Sequence, residues 1–197
     1  LFEGPIKKDK SSFMVSARRS YWDVLAAPLL ALTNTEEEKR KANVYFYDIN
    51  AKFNYILSSK DRVYASFFTN NDIYRLKVNS TYNNGANDEN IARLAWRNIA
   101  GSLRWNHVFS PGFFSNTTFY TSSYKISTDY YNRESDSDIT TIQEGNYTSD
   151  IKDVGVKTDL EYKAGSSHLL RFGFQGSYKY FLPGSSSKRS VEGATEQ

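Results

Sequence analysis

Tyr47-Asp48-Ile49-Asn50-Ala51-Lys52-Phe53-Asn54-Tyr55 alternates without a break between apolar and polar side chains. Successive side chains of an extended strand point to opposite faces. Tyr47, Ile49, Ala51, Phe53 and Tyr55 therefore share one face, and Asp48, Asn50, Lys52 and Asn54 share the other. On a helix the two sets would be mixed on every side. The same period recurs downstream. Ile99, Gly101, Leu103 and Trp105 oppose Ala100, Ser102 and Arg104. Val154, Val156, Thr158, Leu160 and Tyr162 oppose Gly155, Lys157, Asp159 and Glu161. Leu170, Phe172, Phe174, Gly176, Tyr178 and Tyr180 oppose Arg171, Gly173, Gln175, Ser177 and Lys179.

Further strands read over residues 1–6, 12–21, 62–74 and 113–131, for about eight in four hairpins. Short breaker clusters separate some of them, at Lys7-Lys8-Asp9-Lys10, Ser58-Ser59-Lys60-Asp61, Ser110-Pro111-Gly112 and Ala164-Gly165-Ser166-Ser167. Long polar stretches separate the others, over residues 20–42, 70–90 and 128–146. Short turns at one sheet edge and long loops at the other are the asymmetry of an outer-membrane β-barrel, with tight periplasmic turns and long extracellular loops. The expected fold is all-β: an antiparallel transmembrane β-barrel built from long strands.

Composition fits this reading without requiring it. Of 197 residues, 39% are hydrophobic and the mean hydropathy is −0.62. No apolar run is long enough for a helical membrane span, but a barrel strand needs apolar residues only at alternate positions. Aromatics reach 16%. Tyr21-Trp22 and Tyr45-Phe46-Tyr47 lie at long-loop ends, while Trp105, Phe109, Phe113 and Phe114 flank the turn at Pro111. Two aromatic belts at opposite strand ends match the two interfaces of a bilayer. Period alone leaves open a soluble sandwich that shows its polar face to water and its aromatics to carbohydrate. It also leaves open a small closed barrel of structural or adhesive role. The net charge of +3 offers no basic stripe for nucleic acid. With no cysteine there is neither a disulfide framework nor a thiolate zinc site.

The polar face supplies the lumen-lining candidates Asp48, Asn50, Lys52, Arg104 and Lys179. In the long loops, Tyr82, Tyr130 and Tyr131 offer stacking surfaces for a ligand. Catalytic, cofactor and metal residues are not expected. His107 and His168 are isolated beside short turns, and Glu134, Asp136 and Asp138 read as a solvated loop tip. Thr35-Glu36-Glu37-Glu38 has the form of a capping box, so a helix is expected to start there. Residues 23–32 are apolar around Pro28 and read as a segment that folds onto the barrel mouth or packs on a partner. The opening residues read as a strand entered partway and residues 185–197 as a polar loop, so the chain is expected to be a piece of a longer protein.

One family resembles these residues. Glu3-Gly4-Pro5-Ile6-Lys7-Lys8-Asp9-Lys10-Ser11-Ser12-Phe13-Met14-Val15-Ser16-Ala17-Arg18-Arg19-Ser20-Tyr21 is similar to the early-barrel signature of TonB-dependent outer-membrane receptors. The similarity is to the branch with a carboxypeptidase-regulatory-like domain ahead of the plug. Residues 45–55, with Leu103-Arg104-Trp105-Asn106-His107, continue it towards Leu182-Pro183-Gly184. The resemblance implies that residues 1–197 are part of a barrel of about 22 strands, with the plug and the remaining strands elsewhere. It implies active uptake of an iron chelate, cobalamin or an oligosaccharide across the outer membrane of a Gram-negative bacterium. Its partners would be outer-membrane lipids, the chain's own plug, the TonB complex and, as a further candidate, a surface lipoprotein.

Overall fold

The computed structural model describes residues 1–136 and 138–194. Its eight strands are β1 (Phe2–Lys7), β2 (Ser11–Arg19), β3 (Glu38–Ile56), β4 (Asp61–Thr81), β5 (Asn87–Ser110), β6 (Phe113–Ser135), β7 (Ile139–Ala164) and β8 (His168–Ala194). They form one antiparallel sheet in the order of the chain, with β1 and β8 as free edges. Helix α1 (Trp22–Thr33) lies between β2 and β3.

The tight turns close as the breaker clusters require. Asp9 adopts φ 59° and Gly165 φ 71°, in the left-handed region that a two-strand reversal uses. Ser58 Oγ accepts the amides of Lys60 (3.1 Å) and Asp61 (3.0 Å) and donates to Asp61 Oδ2 (2.7 Å).

The expected long loops are mostly strand. β4 runs to Thr81 and β5 begins at Asn87, leaving residues 82–86 as the connection. β6 and β7 leave only residues 136–138, of which Ser137 lies outside the described residues. These segments are rich in Asn, Thr, Ser and Tyr, and hairpin pairing satisfies their backbone groups, so register continues from Arg62↔Asn106 to Thr81↔Asn87. For the same reason residues 185–194 are not a loop but the far end of β8, paired with β7; residues 195–197 lie outside the described residues.

The helix is also displaced from its expected place. The apolar segment forms α1, with no buried residue. The capping-box residues instead close a turn into β3: Thr35 Oγ1 accepts the Glu38 amide (3.0 Å), and the Thr35 amide donates to the Glu38 carbonyl (2.9 Å). Glu38 is held extended there by its pairing with Ser80.

Among the described residues no second sheet packs on this one. Among the described residues, Ala95 is the sole buried hydrophobic side chain. The sandwich alternative is thereby corrected, since a sandwich buries a core between two sheets. The small closed barrel is corrected too, because β1 and β8 do not pair.

Candidate functional site

Register assigns every strand residue to a face, because directly opposed residues point the same way. Asp48 pairs with Arg18 and Asn70, Asn70 with Asn98, and Asn98 with Tyr124. Tyr64 pairs with Arg104, Arg104 with Thr118, Thr118 with Lys157, and Asp153 with Lys179. Asp48, Asn50, Lys52, Arg104 and Lys179 therefore all lie on one face.

That face is hydrogen-bonded across strands. Arg18 Nε donates to the buried Asp48 carboxylate. Asn98 Nδ2 donates to Asn70 Oδ1 (2.7 Å), and Asn106 Nδ2 to Asn116 Oδ1 (3.2 Å). The Arg104 guanidinium sits 4.3 Å from the Tyr64 ring centroid. Lys179 Nζ donates to Asp153 Oδ2 (2.7 Å), while Asp153 Oδ1 is buried without a partner. Residues of β1 to β6 on this face, Lys52 and Arg104 among them, border a cavity of about 910 Å³. That groove is open, and it lies mainly on the polar side, the concave face of the sheet. Gly155 permits close cross-strand packing here, for an added Cβ would lie 2.5 Å from the Tyr120 ring and 2.8 Å from the Gly176 carbonyl oxygen.

The opposite, convex face carries an apolar band, interrupted on β6, where Thr117, Thr121 and Ser123 share the face with Phe119. On β3 it runs from Tyr47 to Tyr55, nine residues, or about 26 Å along the strand. A bilayer-crossing strand needs that length. Leu103 and Phe119 are directly opposed in it and stand 49% and 57% exposed; Phe172 and Phe174 are 56% and 63% exposed. At the short-turn end an aromatic chain edges the band. Ring centroids step from Trp105 to His107 (5.4 Å), Phe109 (4.5 Å), Phe113 (4.6 Å) and Tyr162 (5.7 Å). Phe114 falls on the polar face instead, paired with Glu161. Below the band, Asp61 joins the rim: His107 Nδ1 lies 2.7 Å and the Trp105 indole N–H donor 3.0 Å from its Oδ1. The Ser58 hydroxyl, then His107 and Trp105, hold its carboxyl at about 2, below the ordinary 3.8. His168 opens β8, paired with Ala164, away from that cluster.

Towards the long-connection end the two faces exchange character. On the concave side Tyr74, Leu76 and Val78 of β4 meet Leu94, Ala92 and Asn90 of β5. The Tyr74 and Trp96 rings stack at 5.2 Å. On the convex side the same strands carry Arg75, Lys77, Arg93 and Arg97. Residues 63–78 contain this switch openly, apolar at odd positions first and at even positions later, but only register shows that neighbouring strands switch together.

Tyr130 and Tyr131 point to opposite faces, though both border a groove of about 460 Å³ with Glu144 and Arg189, and Tyr82 lies apart. Tyr130 pairs with Ala92 and Gly145 on the concave face and borders a cavity of about 560 Å³ with Tyr147. Tyr131 pairs with Ile91 and Glu144 on the convex face. Tyr82 sits in the 82–86 connection, and its hydroxyl donates to Asp88 Oδ2 (3.1 Å). That bond and the Asp88 charge raise the Tyr82 hydroxyl above its ordinary value of 10.0. Among the described residues no group of three or more His, Cys, Asp and Glu is arranged to hold a metal ion.

No protein-family model and no curated protein matches the chain. Among solved structures, the CymD monoaromatic hydrocarbon channel is similar at 10% identity and a TM-score of 0.25, over 96% of this chain and 69% of that one. OccK2 (OpdF) of Pseudomonas aeruginosa is similar at 7% identity and a TM-score of 0.17, over 98% and 79%. Similarity at that level does not bear on function.

Proposed function

We propose that the chain is part of the wall of an outer-membrane transport barrel. One observation carries the reading: a curved single sheet leaves an uncovered apolar band on its convex face and a hydrogen-bonded polar ladder on its concave face. In water, a strip containing Leu103, Phe119, Phe172 and Phe174 is an aggregation surface. Against lipid it is the ordinary exterior of a barrel, with the polar ladder lining a wet lumen. Strands of 19 to 27 residues from β3 to β8 exceed the bilayer, so their far ends project beyond it.

The finer reading is TonB-dependent uptake, for which the resemblance at residues 3–21 is the support. Asp48, Asn50, Lys52, Arg104 and Lys179 then line the lumen and contact the plug, where the unpartnered Asp153 Oδ1 is available to a donor. Above the membrane, the concave Tyr74, Trp96, Tyr130 and Tyr147 offer flat rings to a ring-bearing ligand, which favours an oligosaccharide over the other classes.

The test uses the full-length gene product containing this chain, expressed in its host. Uptake of labelled oligosaccharide that disappears when TonB is deleted supports the proposal. Uptake that survives the deletion removes the TonB arm and leaves a passive channel. A product absent from the outer-membrane fraction overturns the whole reading.

A further inference from the structure

Six cations gather on the convex face at the upper edge of the apolar band, starting in the row of Tyr47. Lys41 stands directly opposite Lys77, Arg75 opposite Arg93, and Arg97 opposite Lys125. Directly opposed residues have Cβ atoms about 5 Å apart, and like charges at that distance destabilise a sheet. One such pair is unremarkable, but three on one face of four adjacent strands are a standing repulsion.

Acidic neighbours relieve only part of it. Glu89 pairs with Lys77. Asp129 Oδ2 lies 2.9 Å from Arg93 Nη1. Asp150, opposite Lys125, pairs instead with Lys152 at 3.5 Å. Lys41, Arg75, Arg97 and Lys125 are exposed and have no ionic or hydrogen-bond partner among the described residues. Four strands at their usual spacing make the patch about 14 Å wide, and the rows from Arg97 to Lys77 make it about 20 Å long. Its lower edge adjoins the band, since Arg97 follows Ile99 by one face position on β5.

We infer that this patch binds the phosphate groups of a membrane lipid in the outer leaflet, with the acyl chains lying on the apolar band below. The inference rests on the membrane reading given above. Two features select a lipid over a soluble anion. The cations begin in the band's top row and are interleaved there with the apolar Tyr45, Ile73 and Ala95, and they face outward rather than into the lumen. Guanidinium and ammonium groups presented side by side suit phosphate monoesters. The bound phosphates would also neutralise the opposed cations that the sheet leaves unrelieved.

The test is made on the full-length product purified from outer membranes in detergent. Bisphosphorylated lipid A is titrated against it in mixed micelles, and so is the same lipid stripped of phosphate. Arg97→Gln with Lys125→Gln should weaken binding of the phosphorylated lipid about tenfold or more. Arg97→Lys with Lys125→Arg should retain binding, which separates lost charge from lost fold. Equal binding of the stripped lipid, or an unchanged affinity in the glutamine variant, overturns the inference. So does displacement by equimolar inorganic phosphate, or a protein that co-purifies through the same cations in place of lipid. A product in the outer-membrane fraction with unchanged lipid binding sinks this inference alone; absence from that fraction sinks the membrane reading with it.

Discussion

Replacing Leu103 by Arg tests the orientation of the sheet most directly. Leu103 is third in the β5 series Ile99, Gly101, Leu103 and Trp105, with Ala65 on one side and Phe119 on the other. That places it within the apolar band, one face position from the central row of Ala51, Phe67 and Gly101. An Arg on the lipid face of a barrel costs about 2–4 kcal/mol at the midplane. This corresponds to roughly a 25- to 700-fold loss in the folding equilibrium. Ser102 is the internal control. It lies between Ser66 and Tyr120 on the concave face and borders the 910 Å³ cavity. Arg at that position meets water and polar neighbours, so Ser102→Arg should stay within about 0.5 kcal/mol of the parent. The assay is guanidinium titration of the full-length product reversibly folded into lipid vesicles, read by tryptophan emission. A Leu103→Arg variant as stable as the parent, or a Ser102→Arg variant that loses the larger amount, would refute the assignment of faces.

Gly155→Ala should destabilise the same protein by about 1–3 kcal/mol, because the new methyl meets the Tyr120 ring and the Gly176 carbonyl; adding Tyr120→Ala should restore part of the loss in the same titration. Arg18→Ala strands the buried Asp48 carboxylate and should cost about 1–3 kcal/mol, more than Asp48→Asn; calorimetry in vesicles that ranks them the other way rejects the pair as a stabilising contact. The Asp61 carboxyl is held at about 2 against an ordinary 3.8, so the folded rim binds this proton less readily than the unfolded chain. Its contribution is present above about pH 4 and is lost as pH falls towards 2; Trp105 emission in a variant lacking the other tryptophans should shift over that window and, after Asp61→Asn, should not. Tyr130→Ala should weaken binding of a ring-bearing ligand about two- to tenfold while Tyr131→Ala leaves it unchanged, since only Tyr130 faces the concave side; equal losses by isothermal titration would discard the aromatic platform.

The alternation at residues 47–55 was enough to read the strands, because a period of two has no helical equivalent. That Asp48, Asn50, Lys52, Arg104 and Lys179 share one face was legible for the same reason, each taken from the polar phase of its own strand. The long connections were not. Asn- and Thr-rich stretches look like loops when read alone, and only pairing with an equally polar partner strand turns residues 70–81 and 87–90 into sheet. Tyr130 and Tyr131 show the limit from another side. Adjacent residues in a strand point to opposite faces, so the different facing of these two follows from the strand assignment alone. The cationic patch was hidden more deeply. Arg75, Arg97 and Lys125 are scattered through fifty residues of sequence, and no linear stretch is basic enough to mark them. Two hairpin registers bring them onto one face within a single patch. Shifting either register by one residue would send half of them to the lumen. The repulsion among the opposed cations is therefore tolerated in a register fixed elsewhere, by the apolar row that runs from Phe53 through Ala65 and Leu103 to Phe119. Hydrophobic matching within the band sets the register, and the charges beyond it follow, which is why the patch lies at the band's edge and on its face.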